Sequence, residues 1–147
     1  VERQVVGVYD KRLLKIFAKA LKNLNIKFAW IVNSEDGLDE ISPYVKTNVV
    51  QLKDTKISEI TIDPKELNIN ANKFVDLLGD DAEFNAGKMI DIFKGEDNDF
   101  SKAVCLNTAA GLIVTEKHSS FNNAYVDARK HILSGKTYKN LKKIQNA

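Results

Sequence analysis

The chain has 147 residues, of which 44% are hydrophobic and 29% charged, and its formal net charge is +2. This length and composition predict one folded unit with its own core and exclude an intrinsically disordered chain. A single cysteine and two histidines exclude an internal disulfide framework and a structural zinc site, and they favour a reducing, cytoplasmic location. No apolar run approaches the roughly 20 residues that span a bilayer, so we expect no membrane association.

The chain opens with a pattern typical of a strand followed by a helix. Residues 4–9 are mostly β-branched or apolar, and Asp10 after them is a candidate helix N-cap. Residues 11–24 carry leucine and phenylalanine at three- and four-residue steps, which predicts an amphipathic helix packed on a sheet. The apolar face of this predicted helix consists of Leu13, Leu14, Phe17, Leu21 and Leu24.

Two further strand signals follow. Residues 28–32 form a continuous apolar run, which is typical of a strand covered on both faces, as in parallel sheets. Residues 47–52 and 57–62 are short β-rich runs separated by four polar residues, and they predict an antiparallel hairpin. Pro64 ends the second strand because proline lacks the amide donor that a sheet needs.

From residue 72 onward the pattern becomes helical, so the whole chain is predicted to be an α/β fold. Glycine and acidic residues separate the segments: Gly79 and Gly95 are candidate helix ends, and Asp80 or Asp81 is a candidate N-cap. The helical segments predicted in this way are residues 74–78, 84–93, 100–115, 121–133 and a short last one over 138–144.

An acidic turn, residues 34–40 (SEDGLDE), lies just beyond the apolar run 28–32. The carboxyl ends of strands are where open α/β sheets usually bind ligands. Asp36, Asp39 and Glu40 are hard oxygen ligands on one loop, and Gly37 gives that loop backbone freedom, so the turn can hold Mg²⁺ together with a diphosphate. Spacing alone also allows the plainer interpretation of an Asp-Gly turn whose carboxylates face water or cap a helix.

Four ordered segments resemble landmarks of the anthranilate phosphoribosyltransferases, members of the nucleoside phosphorylase and phosphoribosyltransferase family. These segments are residues 3–10 (RQVVGVYD), 35–40 (EDGLDE), 79–86 (GDDAEFNA) and 106–110 (LNTAA). The resemblance runs across residues 1–147. It implies a partial mixed sheet flanked by helices, the C-terminal portion of the family's catalytic domain.

The resemblance also implies a function. In the family, the Asp-Glu pair that matches Asp39 and Glu40 binds the Mg²⁺ that accompanies phosphoribosyl pyrophosphate (PRPP). The family's reaction joins the nitrogen of anthranilate to ribose C1 with loss of pyrophosphate, in tryptophan biosynthesis. Asp39 and Glu40 are therefore expected to be metal ligands, and no residue of this chain is assigned as a catalytic acid or base.

Some features favour a second hypothesis, a truncated and inactive relative with a structural or nucleic-acid-binding role. The family usually carries His-Gly where Asn33 and Ser34 stand, and residues 43–47 replace its Gly-Pro-Thr ending. The chain also begins at Val1 in the middle of a pattern, so we expect a fragment that lacks the family's N-terminal helical domain and its donor-binding loop. Such a fragment is expected to be inactive alone and to self-associate, whereas the intact parent is expected to form a homodimer.

The remaining chemistry-bearing residues are predicted to be structural. His118 and His131 lie in the helical half and are expected at the surface, whereas Cys105 and Trp30 are expected in the core. The lysines of residues 136–143 fit a solvated helix face better than a nucleic-acid site. The sequence thus favours a solvated face over a nucleic-acid partner, which stays open as part of the second hypothesis, and the acidic turn is its main functional candidate.

Overall fold

The computed structural model describes residues 1–71 and 77–146 of the chain. In these residues a four-stranded mixed sheet is accompanied by five α-helices, which confirms the predicted α/β class. The elements are β1 (Arg3–Gly7), α1 (Leu14–Asn23), β2 (Phe28–Ser34), β3 (Thr47–Lys53), β4 (Lys56–Ile62), α2 (Ala82–Lys94), α3 (Asp99–Val114), α4 (Phe121–Leu133) and α5 (Lys136–Gln145), with 3-10 turns at Lys11–Leu13 and Pro64–Leu67.

The strands follow chain order across the sheet. β1 pairs with β2 in parallel, whereas β2 with β3 and β3 with β4 are antiparallel. The β3–β4 connection is a two-residue turn in which Asp54 and Thr55 have φ angles of 46° and 67°. Two successive positive φ values match the right-handed twist of the flanking strands, so this turn holds the predicted hairpin in register.

Strand β2 is the buried centre of the fold, as its apolar run predicts. All seven of its residues are buried. Because side chains alternate along a strand, Ala29 and Ile31 face α1, whereas Phe28, Trp30 and Val32 face the large core under α3 and α4. The end of β2, where the acidic turn begins, is consequently held from both faces.

Helix α1 covers one face of the sheet, but the predicted membership of its apolar face is partly wrong. Leu14 and Ala18 pack directly on the sheet, at 3% and 0% exposure. Phe17 is 39% exposed and Leu24, which follows the last helical residue, is 70% exposed. Leu13 and Leu21, also predicted for this face, are partly buried against the same core, whereas Phe17 lies at its border.

The other face of the sheet is covered by the helical half of the chain. Asp81 caps α2 by accepting the amide hydrogen of Phe84 at 2.8 Å, and Asn98 with Ser101 forms a capping box at the start of α3. Positive φ at Gly95 ends α2, as the sequence predicts, and positive φ at Gly135 separates α4 from α5. Of the helix predicted over residues 74–78, residues 74–76 lie outside the described residues.

Helix α3 forms the centre of the helical layer. Leu106, Ala109 and Ala110 are fully buried in it, and the small side chains of Ala109 and Ala110 let α4 approach closely. Cys105 is buried as predicted, and burial raises the pKa of its thiol to about 11, which leaves it unreactive at neutral pH. Within the parts of the chain that the structure describes, none of the helices is long and apolar enough to cross a bilayer.

Candidate functional site

The acidic turn leaves the carboxyl end of β2 and returns to the sheet as β3. Its base is closed by backbone hydrogen bonds: Ser34 N–H donates to Leu38 O at 3.0 Å, and Glu35 N–H donates to Lys46 O at 2.9 Å. Gly37 has a φ of 90°, a value that glycine adopts without steric cost, and its N–H donates to Ser34 O at 3.0 Å. The turn is therefore a closed loop of defined shape.

Asp36 braces this loop from the inside. One of its carboxylate oxygens accepts the Ser34 hydroxyl and, at 3.3 Å, the amide hydrogen of Leu38. Its other oxygen accepts the hydroxyl of Ser42 at 2.6 Å. Both oxygens of Asp36 thus accept hydrogen bonds from within the loop. Asp36 is one of the three candidate metal ligands in the sequence pattern, and here its carboxylate stabilises the loop.

Asp39 and Glu40 differ from Asp36 because both of their side chains are exposed. They lie between the braced part of the loop and a buried stretch in which Ile41 is 1% and Ser42 0% exposed. Ser42 N–H donates to the hydroxyl oxygen of the buried Thr47 at 3.1 Å, which ties this stretch to β3. The two carboxylates are therefore presented to solvent from an anchored backbone.

The end of β1 lies directly against the backbone of Asp39. A methyl group added to Gly7 would sit 1.6 Å from Asp39 O and 2.7 Å from Asp39 C. Only a residue without a side chain allows this approach, so Gly7 is a structural requirement of the acidic turn. The sequence pattern of residues 3–10 contains this glycine but does not reveal what it faces.

Asn33 and Ser34, which stand where the resemblance implies a His-Gly pair, both have structural roles. The amide of Asn33 donates to Val8 O at 2.8 Å in a buried position and so ties the end of β2 to the segment that follows β1. The Ser34 hydroxyl contacts Asp36, as described above. Both side chains are thus used in contacts at the end of β2, whereas Asp39 and Glu40 are exposed.

The donor set fits Mg²⁺ bound jointly with a phosphate ligand. Within residues 1–71 and 77–146, no group of three or more histidine, cysteine or acidic side chains is arranged to hold a metal ion. Mg²⁺ requires only one or two protein carboxylates when substrate phosphates and water complete its shell, and Asp39 and Glu40 can supply these. A metal with only two protein carboxylates needs a phosphate ligand and water to complete its shell.

The residues that the sequence analysis assigns to structural roles lie away from the acidic turn. Trp30 is 3% exposed in the core and contacts the ring of Phe121. His118, between α3 and α4, pairs with Asp127 at 3.2 Å, and His131 is exposed on α4. These positions confirm the predicted core tryptophan and a surface position for His131, and His118 is partly buried beside its carboxylate partner.

The described residues form an α/β domain with an acidic turn after its buried central strand. A family model described as "Glycosyl transferase family, a/b domain" matches residues 1–138, so the chain belongs to this family. It is 78% identical to the anthranilate phosphoribosyltransferase of Pelagibacter ubique, over 99% of this chain and 44% of that one. It is also 36% identical to the enzyme of the same name from Clostridium kluyveri, over 99% of this chain and 44% of that one.

Solved structures agree with this assignment. Anthranilate phosphoribosyltransferase from Thermus thermophilus superposes with a TM-score of 0.81 at 27% identity, covering 93% of this chain and 40% of that one. The Saccharomyces cerevisiae enzyme in complex with PRPP and Mg shares the fold, with a TM-score of 0.81 at 23% identity over 95% and 41% of the two chains. The resemblance in the sequence is confirmed, and the chain spans less than half the length of the curated relatives that it matches.

Proposed function

We propose that this chain is the C-terminal part, residues 1–147, of the catalytic domain of an anthranilate phosphoribosyltransferase and that it carries the enzyme's metal-binding carboxylates. The observation that carries the proposal is the difference in environment among the carboxylates of the acidic turn. Asp36 is held inward by three hydrogen bonds, whereas Asp39 and Glu40 are exposed at the end of a buried strand. The 78% identity to the Pelagibacter ubique relative supports the choice of reaction.

The proposed reaction transfers the phosphoribosyl group of PRPP to anthranilate. The amine nitrogen bonds to ribose C1 while the bond from C1 to the pyrophosphate oxygen breaks, and pyrophosphate leaves with the bonding electrons. Bound Mg²⁺ would supply Lewis-acid stabilisation of that leaving charge. Asp39 and Glu40 bind and orient the metal, and the closed loop holds their backbone still while they do so.

Several properties of the intact enzyme belong to the same proposal. We place it in the cytoplasm and expect a homodimer. Tyr9, Ile16 and Leu24 are large apolar side chains that are more than half exposed here, and they are expected to favour self-association of the isolated chain.

The lysines of α5 stay assigned to a solvated face. The alternative of an inactive relative gains no support from the proteins compared, which are all anthranilate phosphoribosyltransferases.

A chimaeric enzyme tests the proposed function. In it, the segment of the Pelagibacter ubique relative that matches this chain is replaced by residues 1–147. Because 78% of the exchanged positions are identical, we expect the chimaera to consume anthranilate when PRPP and Mg²⁺ are present, at a rate within about tenfold of the relative's. Anthranilate fluorescence follows the reaction directly.

The control is the unmodified relative, measured for oligomeric size and thermal unfolding as well as activity. A chimaera that matches the relative in size and unfolding temperature but consumes no anthranilate would contradict the proposal and support the inactive alternative. A chimaera active only with both PRPP and Mg²⁺ would support the enzyme.

A further inference from the structure

Helix α3 carries one amide side chain in its most apolar part, directly behind the acidic turn. Asn107 follows the fully buried Leu106 and precedes the buried Ala109 and Ala110 by less than one helical turn. A polar side chain in such surroundings lowers stability unless its donors and acceptor are all bonded. Its partners therefore indicate why asparagine stands at this position.

Two of the three hydrogen bonds of Asn107 are to Ile41, the residue that follows the acidic turn. Its side-chain oxygen accepts the amide hydrogen of Ile41 at 3.0 Å, and its NH₂ group donates to Ile41 O at 3.2 Å and to Ala103 O at 3.0 Å. One side chain thus bonds both backbone polar groups of Ile41, as a neighbouring β-strand would do. Ile41 comes immediately after Glu40, and its own side chain is buried.

We propose that Asn107 is the positioning residue of the metal site: it fixes the backbone at Ile41 and thereby the direction in which Asp39 and Glu40 leave the loop. The inference rests on the proposed function and assigns a role to the segment 106–110. Asp36 holds the first half of the loop and Asn107 holds the second half, so the two carboxylates lie between two fixed points. Preorganisation of this kind keeps metal ligands in place before the metal binds.

Two variants test the role of Asn107. Asn107→Leu removes all three hydrogen bonds at similar volume, and Asn107→Asp keeps an acceptor for Ile41 N–H but places a carboxylate oxygen against two carbonyl oxygens. We expect both to weaken Mg²⁺ binding in the presence of pyrophosphate by about tenfold or more, the range found for side chains that orient metal ligands. The measurement is calorimetric titration of the full chain, together with hydrogen exchange of the Ile41 amide by NMR.

The control is Leu106→Ala, which creates a cavity beside Asn107 but leaves the three hydrogen bonds of Asn107 in place, and it is expected to lower stability while keeping Mg²⁺ affinity within about twofold. In the unaltered chain, saturation with Mg²⁺ and pyrophosphate is expected to shift the side-chain NH₂ signals of Asn107, a readout that needs no variant to fold. An unchanged Mg²⁺ affinity in a folded Asn107 variant would overturn the positioning role alone. Asn107 NH₂ signals that do not shift when the metal binds would do the same. An unaltered chain that binds no Mg²⁺ with pyrophosphate would overturn this inference together with the metal site on which it rests.

Discussion

Exchanging Asp39 for asparagine and Glu40 for glutamine is expected to reduce the affinity of the chain for Mg²⁺ with pyrophosphate by at least about 100-fold. Changes in residues that only orient metal ligands cost roughly 10- to 100-fold, and this double variant removes the charge of both proposed ligands themselves. Both side chains are exposed, and the loop is braced by Asp36, so the thermal unfolding temperature should stay unchanged. Calorimetric titration of magnesium and pyrophosphate into the chain measures the effect.

The matched control removes two acidic charges from the other end of the sheet. Glu2 and Asp54 are exposed and lie where β2 begins and β3 turns into β4, roughly 20 Å from the acidic turn along seven strand residues. The Glu2→Gln, Asp54→Asn variant has the same net charge as the test variant and is expected to bind like the unaltered chain. An equal loss of Mg²⁺ affinity in both variants would mean that the effect comes from net charge in general. Full Mg²⁺ affinity in both variants would exclude Asp39 and Glu40 as ligands.

Replacing Gly7 with alanine is expected to lower both stability and metal affinity, although Gly7 carries no chemistry of its own. The added methyl group would lie 1.6 Å from Asp39 O, and because the obstructing atoms belong to the backbone, the strand or the loop must move by more than 1 Å. We expect the affinity for Mg²⁺ with pyrophosphate to fall by about tenfold or more and the unfolding temperature to fall as well. Calorimetry and a thermal melt measure the two effects separately.

Gly87→Ala is the control for the Gly7 variant. Gly87 lies inside α2, and a methyl group there meets no atom within 4 Å. Alanine in a helix interior is more stable than glycine by about 0.5–1 kcal/mol, so this variant should melt at the same or a higher temperature and keep its affinity. A Gly7→Ala chain with the affinity of Gly87→Ala would show that the approach of β1 does not constrain Asp39.

The elements of the fold follow from local sequence patterns. The buried strand β2 was recognisable because it must be covered on both faces, and the helix after Asp10 was recognisable from its periodicity. The limits of that reasoning appear at Phe17 and Leu24. A periodic pattern identifies a helical stripe, but how wide a strip the sheet covers depends on tertiary packing.

The location of the acidic turn after a buried strand could be predicted from the sequence, whereas the hydrogen bonds within the turn could not. Sequence spacing treats Asp36, Asp39 and Glu40 alike, whereas the fold bonds Asp36 to Ser34 and Ser42 and leaves the other two exposed. Asn107 contacts Ile41 across 66 residues of chain, and Gly7 at the end of β1 meets Asp39 in the loop that follows β2. Contacts of this range are products of the topology, so no local pattern reports them; the one available signal was a lone amide in an apolar helix.

The measurement that tests the central claim most directly is to locate the metal in crystals of this chain grown with Mn²⁺ and pyrophosphate. Mn²⁺ accepts the same oxygen ligands as Mg²⁺ and scatters anomalously, so its position is read without reference to the protein density. The account predicts an anomalous peak within coordination distance, about 2 Å, of carboxylate oxygens of Asp39 or Glu40, with pyrophosphate oxygens on its other side. A fully occupied peak elsewhere, with none at the acidic turn, would contradict it.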